Sequence, residues 1–408
     1  MFLRLNRLER MFEQVKRIDP VPLRIRLWSG RSFELGPEPR VTLTVPDPAA
    51  LRYFIAPDLH KLGEAYVEGK IHVEGAVRDI FEVAERFITA VSTKAMYEPF
   101  RLIPHSRRKD RNAIQYHYDV SNEFYSLWLD KGMVYSCAYF RSINDTLEQA
   151  QIQKVDHILN KLMLKPGEHL LDIGCGWGAL IFRAIEHFGA AKAVGVTLSQ
   201  NQYDYVKQKI AEKGLEGRCE VRMQDYRDVP EKGGYDKIAS VGMFEHVGIK
   251  NLSVYFSTML KLLKDGGLVL NHGITSSDTE KRQVGMGAGE FIDRYVFPDG
   301  ELPHISLVLR EMALAGFEVT DLESLRRHYA RTCATWASGL ERNRERAAQI
   351  AGEKRYRIWS IYLQGCSHGF DQGWMNLYQV LACKEAGGKQ NPTPLSREYM
   401  YDNPLHGR

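Results

Sequence analysis

The stretch LLDIGCGWGAL, residues 170–180, decides how this chain is read. An apolar strand carries Asp172 near its end, glycines follow at 174, 176 and 178, and an apolar helix opens behind them. Glycines at such a junction let a ligand approach the backbone at a helix N-terminus. A dinucleotide site wants G-x-G-x-x-G and places a pyrophosphate there. Here the spacing is G-x-G-x-G with an acid two residues ahead, which suits a ligand carrying an amino group. S-adenosylmethionine, with its zwitterionic amino acid end and cationic sulfonium, fits better than a nicotinamide or a flavin. Asp172, Gly174 and Gly176 are the first cofactor candidates.

Working outward, strand patterns fall at 169–173, 192–198, 219–224, 235–242, 267–273, 317–325 and 375–384, with helical patterns between the first five. Such alternation predicts a mostly parallel, doubly wound α/β sheet whose chemistry lies beyond the carboxyl ends of the strands. Ribose-binding sites of this kind usually carry an acid after the second strand. GVTLSQNQ instead offers Thr197, Ser199 and Gln202, whose hydroxyl and amide groups bond a diol more weakly than a carboxylate does. Asp225, in MQDYRD, is expected to reach the adenine amino group.

Two polar residues stand in apolar sequence at the reactive end. Glu245 follows the fourth strand in SVGMFEHVG, and His272 ends the fifth in LVLNHGI. A Glu and a His on neighbouring strand ends suit acid–base work or anion binding; His246 is read as the decoy beside Glu245. The long insertion 275–305 is expected to be a lid or binding loop. Tyr329 opens a further helix pattern.

Upstream, residues 20–75 look β-rich. PLRIRLWSGRSFELG suggests a hairpin around Ser29-Gly30, RVTLTV a strand, YVEGKIHVEG (66–75) a second hairpin, and DPAALRYF a short helix. A helix is expected within 76–96. The limits predicted are an N-terminal α+β domain (1–97), a linker (98–113) bearing Arg107, Arg108, Lys109 and Arg111, and a catalytic domain (114–408). The first helix is amphipathic through Phe2, Leu5, Leu8, Phe12 and Val15; its apolar side is expected to pack on its own domain, with an anionic lipid surface as the alternative. Residues 116–140 hold eight aromatic rings without a strand or helix period, so they fill a core or line a pocket for something apolar or cationic.

Composition narrows the classes. A net charge of +4 is too mild to imply nucleic acid. The six cysteines are scattered with no C-x-x-C pair, which predicts reduced thiols in a cytoplasm and no structural metal. No apolar run approaches the roughly 18 residues of a membrane span, and the N-terminus lacks a secretory apolar core.

With these residues in hand, the chain resembles the cyclopropane-fatty-acyl-phospholipid synthases, of the mycolic acid cyclopropane synthase family. YHYDVSNEFYSLWLD, YSCAYF, LDIGCGWG, VTLSQNQ, FEHVG, NHGI and FIDRYVFPDGELP carry the resemblance, in order. It implies a class I S-adenosylmethionine-dependent methyltransferase fold, a seven-stranded mostly parallel sheet with a smaller N-terminal α+β domain. It implies methyl transfer to a cis double bond in an unsaturated phospholipid acyl chain, then loss of a proton from the new methyl of the carbocation and ring closure. A bound bicarbonate is implied as the base, held by Cys137, Glu245, His272, the Ile274 backbone and Tyr329. Cofactor contacts carry over to Tyr135, Ser136, Gly174, Gly176, Thr197, Leu198 and Gln202, and the missing strand-two acid becomes a family trait. Cys366 matches a cysteine near the site that is not needed as a nucleophile. The expected setting is a homodimer bound peripherally to the inner membrane face. The rings of 116–140 are then expected to cover the methyl donor and wall the acyl channel, with Tyr118, Phe124 and Trp128 mostly packing. Methyl branching without ring closure, methylation of an amine, and a non-catalytic lipid-binding module remain as alternatives.

Overall fold

The computed structural model describes residues 2–54, 57–91, 97–98, 121–230, 234–279, 283–284, 288–296, 300–385 and 391–401. Apart from Glu98, the linker at 98–113 lies outside the described residues, as do Tyr116 and Tyr118.

The N-terminal region starts with α1 (Phe2–Ile18), then β1 (Leu23–Leu27), β2 (Ser32–Glu34) and β3 (Val41–Val45). A 3-10 turn (Pro48–Phe54), α2 (Leu59–Val67), β4 (His72–Glu74) and α3 (Val77–Val91) follow. The strands form one sheet in the order β2-β1-β3-β4. The hairpin at Ser29-Gly30 forms, with Ile25 opposite Phe33. Alternation explains the layering: Leu23, Ile25 and Leu27 are buried and Arg24 and Arg26 are not. Leu8, Phe12 and Val15 of α1 are buried in the same core as Val83, Phe87 and Ile88 of α3. The described apolar side of α1 is therefore taken up by its own region, as the helix pattern predicted. The second hairpin is a misreading. Tyr66 and Val67 close α2, whose start is capped by the Asp58 side chain, and only 72–74 is strand. Val-Glu-Gly mimics a strand pattern, but Ala65 and Val67 are buried as part of a helical face.

The larger sheet runs in the order β12-β13-β10-β9-β6-β7-β8. Its strands are β6 (His169–Ile173), β7 (Lys192–Thr197), β8 (Cys219–Met223), β9 (Tyr235–Val241), β10 (Leu263–Ser276), β12 (Phe317–Ser324) and β13 (Met375–Lys384). Neighbours from β10 through β8 are parallel, and β13 is antiparallel to both β10 and β12. The predicted strands match these limits to within a few residues; β10 alone is much longer. Preceding the sheet are α4 (Asn122–Ser126) and α5 (Leu147–Lys161); α6 (Ala179–Glu186), α7 (Gln200–Glu212) and α8 (Leu252–Leu262) connect its first strands.

The insertion after β10 carries α9 (Ala288–Tyr295) and leads into α10 (Ile305–Ala315). A two-residue strand within it, β11 (Gln283–Val284), pairs with β5 (Tyr97–Glu98). The helix pattern at 328–350 proves to be two helices, α11 (Arg326–Arg342) and α12 (Arg344–Ala351), broken where the Asn343 amide donates to Leu127 O and Gly339 O. Then come α13 (Glu353–Asp371) and, at the end, α14 (Glu398–Tyr401).

Strand order reverses direction about β6: the chain moves to β7 on one side and later fills β9 on the other. That switch point opens a crevice at the carboxyl ends of β6 and β9, where an open α/β sheet takes its ligand.

Candidate active site

Two cavities meet in that crevice. The first, about 130 Å³, lies over the glycine loop and is lined by Asp172, Gly174, Gly176, Thr197, Leu198 and Gln202, with Tyr135 and Ser136 above them. The loop turns sharply at Gly174, whose φ is +79°, and a Cβ there would come within 3.0 Å of Met243. Thr197 Oγ1 donates to Gln202 Oε1 at 2.8 Å, so the second strand and α7 present their polar groups as a pair. Ser199 caps α7 by accepting from Gln202 N, which commits it to the helix.

Asp172 is 3% exposed and its Oδ1 has no hydrogen-bond partner. Burial pushes its carboxyl up to about 7, opposed by the positive charge of Lys154. Lys154, on α5, was not singled out from sequence. Its ammonium donates to Ser136 Oγ at 2.8 Å and lines the same cavity. Burial pulls it down to about 8, with Asp130, Cys137 and Asp172 drawing it back up. A signal existed: Lys154 shares the buried face of its helix with Ala150 and Ile158. A buried orphan carboxylate, a buried ammonium and a glycine cradle form a donor set suited to the zwitterionic end of S-adenosylmethionine.

Asp225 lies between Gln224 and Tyr226, which line the cavity, and Arg227 donates to both of its oxygens, at 2.8 and 2.6 Å.

The second cavity, about 360 Å³, is lined by Cys137, Glu245, His272, Ile274 and Tyr329, and also by Cys366. The five residues carried over as catalytic thus converge. Glu245 sits in a 3-10 turn (Phe244–His246) after β9; its Oε1 accepts from the Ile274 N–H at 2.7 Å, and its Oε2 has no partner. Ile274 therefore contributes its N–H by fixing this carboxylate. Burial pushes Glu245 up to about 7, opposed by that N–H. His272 pairs in register with Gln379, whose amide Nε2 donates to His272 Nδ1 at 3.3 Å. His272 Nε2, on the far side of the ring, is buried and has no partner. Burial, with the charges of Lys154 and Lys161, holds the imidazole well below its usual value, so it is neutral.

Burial pushes the Tyr329 phenol well above its usual value. The Cys137 thiol, fully buried and raised for the same reason, donates to Ala138 O at 3.2 Å. A protonated buried thiol is a weak donor and a poor nucleophile.

Tyr135, Ser136, Gly242 and His246 line both cavities. His246 is thus at the junction of the two cavities. Of the six described rings in the aromatic run, only Tyr135 lines either cavity. Phe124, Tyr125 and Trp128 pack with Trp359, at centroid distances of 5.9, 5.5 and 5.5 Å. Tyr139 stacks on His157 and His328, at 4.3 and 4.8 Å. Most of these rings are core, and the second cavity's other aromatics, Tyr329, Trp336, Tyr362 and Phe370, come from α11 and α13.

The family model for mycolic acid cyclopropane synthetase matches residues 105–380. The chain belongs to that family. A separate model, for a domain of unknown function, matches residues 10–94. A relative from Pseudomonas putida named as a probable fatty acid methyltransferase is 47% identical over 381 residues, 93% of this chain and 96% of its own. Cyclopropane mycolic acid synthase 1 of Mycobacterium tuberculosis is 37% identical over 66% of this chain and 96% of its own. Among solved structures, the cyclopropane synthase MmaA2 of the same organism aligns with a TM-score of 0.65 and 36% identity, covering 69% of this chain and 99% of that one. The synthase CmaA1 complexed with SAH and CTAB aligns at 0.63, with 37% identity and 69% and 99% coverage. The chain accordingly has the class I S-adenosylmethionine-dependent methyltransferase fold of this cyclopropane synthetase family, with a further region at its N-terminus.

Proposed function

We propose that this chain transfers a methyl group from S-adenosylmethionine to the cis double bond of an unsaturated phospholipid acyl chain and closes it to a cyclopropane. One observation carries the reading: a cofactor cavity over the glycine loop and a largely apolar cavity holding Glu245 and His272 share the wall Tyr135, Ser136, Gly242 and His246. A methyl donor and an olefin would meet across that wall.

The donor supplies an electrophilic methyl on a sulfonium. An isolated alkene is a feeble nucleophile, so the protein's task is alignment and exclusion of water. Asp172 would receive the donor's ammonium, and Lys154 would stand near its carboxylate while holding Ser136. Tyr135, Tyr329, Trp336 and Phe370 would face developing positive charge with their π-clouds, at about 0.5–2 kcal/mol per ring. The proton lost on ring closure needs an acceptor. Glu245 Oε2 and His272 Nε2, buried and unpartnered in one cavity, fit a small oxyanion such as bicarbonate. His272 would donate to it, and Glu245 would share its proton, since two bare anions side by side repel. Bicarbonate would supply the base.

The same reading keeps an N-terminal lipid-associated domain (1–97), a linker (98–113) and a catalytic domain (114–408); the separate family matches, to 10–94 and 105–380, support a division of the chain near residue 100. It places a homodimer at the inner membrane face. Among the described residues no helix is long and apolar enough to cross a membrane, which agrees with attachment at its surface.

Lipid mass spectrometry with proton magnetic resonance, after incubating the protein with S-adenosylmethionine and phosphatidylglycerol vesicles bearing oleoyl chains, tests the proposal. Cyclopropane protons in the product support it; unchanged lipid defeats it. A second reading, methyl branching without ring closure, is favoured by the printed name of the 47% identical relative, a probable fatty acid methyltransferase. A branched product without ring protons would select it.

A further inference from the structure

A further cavity, about 440 Å³, lies between the N-terminal region and the catalytic sheet. Leu43 of β3, Leu62 of α2, Val73 of β4 and Phe87 of α3 line one side, and Phe291 of α9 and Ile361 of α13 another. Among the described residues, charge enters the lining only at Glu341 and Arg344. Core packing normally closes such space to voids little larger than a water molecule. A chamber this large belongs instead to the range of small-molecule sites, roughly 300–1,000 Å³.

The chamber adjoins the reaction cavity. Ile292, Tyr362, Cys366 and Met375 line both. A mid-chain double bond held beside Glu245 and His272 leaves two lengths of hydrocarbon to house. One must lead back to the headgroup, and His60, Glu290, Asp293 and Arg294 give the reaction cavity a polar portion suited to that. The other ends in a methyl and needs a dry sleeve, because each methylene gains by leaving water for an apolar lining.

We propose that the chamber receives the methyl-terminal limb of the reacting acyl chain, so that the N-terminal region selects for the length beyond the double bond. The inference rests on the acyl-lipid reading above. The family model for the catalytic part begins at residue 105, so β3, β4, α2 and α3 add a wall that the matched catalytic portion does not contain.

Ala84, on α3, lines the chamber and not the reaction cavity. Ala84→Phe sets a ring inside it. Phosphatidylglycerol vesicles with myristoleoyl, palmitoleoyl or oleoyl chains keep the double bond at one distance from the headgroup and lengthen only the limb beyond. Relative to the parent protein, the variant is expected to lose about tenfold or more in kcat/KM on oleoyl over myristoleoyl chains, the scale of methylene discrimination in an apolar pocket. S-adenosylhomocysteine affinity is expected to hold. An equal loss on all three lipids, or no loss on any, overturns the proposal.

A parent protein that converts none of the three would count against the proposed reaction, and a readout independent of turnover then decides the chamber. The same readout serves where Ala84→Phe loses S-adenosylhomocysteine binding through misfolding. Phosphatidylglycerol with a photoreactive diazirine at the methyl end of its chain is irradiated with the parent protein. Label on peptides of α2, α3 or β3, or on those holding Phe291 or Ile361, supports the chamber; label confined elsewhere overturns it.

Discussion

The ring of Phe244 fills the space that a side chain on Gly273 would need: a Cβ there would stand 1.7 Å from Phe244 Cε1. Gly273 lies between His272 and Ile274 on β10, and Phe244 opens the turn that carries Glu245. The close approach therefore sets the carboxylate against the histidine's strand. Gly273→Ala is expected to destabilise the protein by about 1–3 kcal/mol through overpacking and to lower turnover more than cofactor affinity. Thermal unfolding and kinetics check it. Adding Phe244→Leu should recover part of both; no recovery would mean the strain lies elsewhere.

Glu245→Gln and His272→Ala are each expected to reduce turnover by about 10²–10⁴-fold, the usual scale for a lost acid–base group. Both residues line the apolar cavity and not the cofactor cavity, so calorimetry should find S-adenosylhomocysteine binding near the parent value. A collapse of binding in either variant would show that the two roles have been misassigned.

Stripping carbonate species from the buffer is expected to slow the reaction, and added bicarbonate to restore it. A rate indifferent to both would move proton removal to Glu245 itself, whose carboxyl, raised to about 7, already sits in the basicity range a general base needs.

Asp172 gives a pH signature. Its folded value, about 7, lies above its ordinary 3.8. Below about 7 the ligand-free protein holds a proton there that a bound ammonium would expel. S-adenosylhomocysteine affinity should therefore rise with pH through about 7, with proton release seen as buffer-dependent heat. The folded state also binds this proton more tightly than the unfolded chain does, so the ligand-free protein should lose stability as pH rises from near 4 to about 7. Glu245, raised from 4.5 to about 7, adds in the same direction. A flat affinity profile would mean that Asp172 does not meet the ligand's amino group.

Lys154→Met removes the ammonium that holds Ser136. Charged hydrogen bonds contribute about 1.5–3 kcal/mol, so S-adenosylhomocysteine should bind about tenfold or more weakly. Unaltered affinity would reduce the lysine to packing.

Local patterns announced the frame of the molecule and said less about partnerships. Strands 169–173 and 375–384 were legible to the residue because buried strands bounded by glycine or polar turns leave little choice of limits. Glu245 and His272 stood out because a polar group in apolar sequence at a strand end has few structural uses. Nothing in MQDYRD says that Arg227 will fold back on Asp225. In the aromatic run Phe124 and Trp128 pack as expected, but how few of its rings meet a cavity was not legible, because rings from α11 and α13, far along the chain, pack against it. His246 looked redundant beside Glu245 because a 3-10 turn aims consecutive residues differently from a strand or helix.

The placing of α9 has a practical side. Phe291 packs where a Cβ on Gly63 of α2 would stand 2.9 Å from its ring, and it is buried, as is Trp374. A fragment cut back to the catalytic sheet would bare both to solvent together with neighbouring aliphatic surface, and contiguous greasy surface of that kind promotes clumping. Trimming the N-terminus to simplify purification would thus trade away solubility, and polar replacements at Phe291 and Trp374 would be the first repair to attempt.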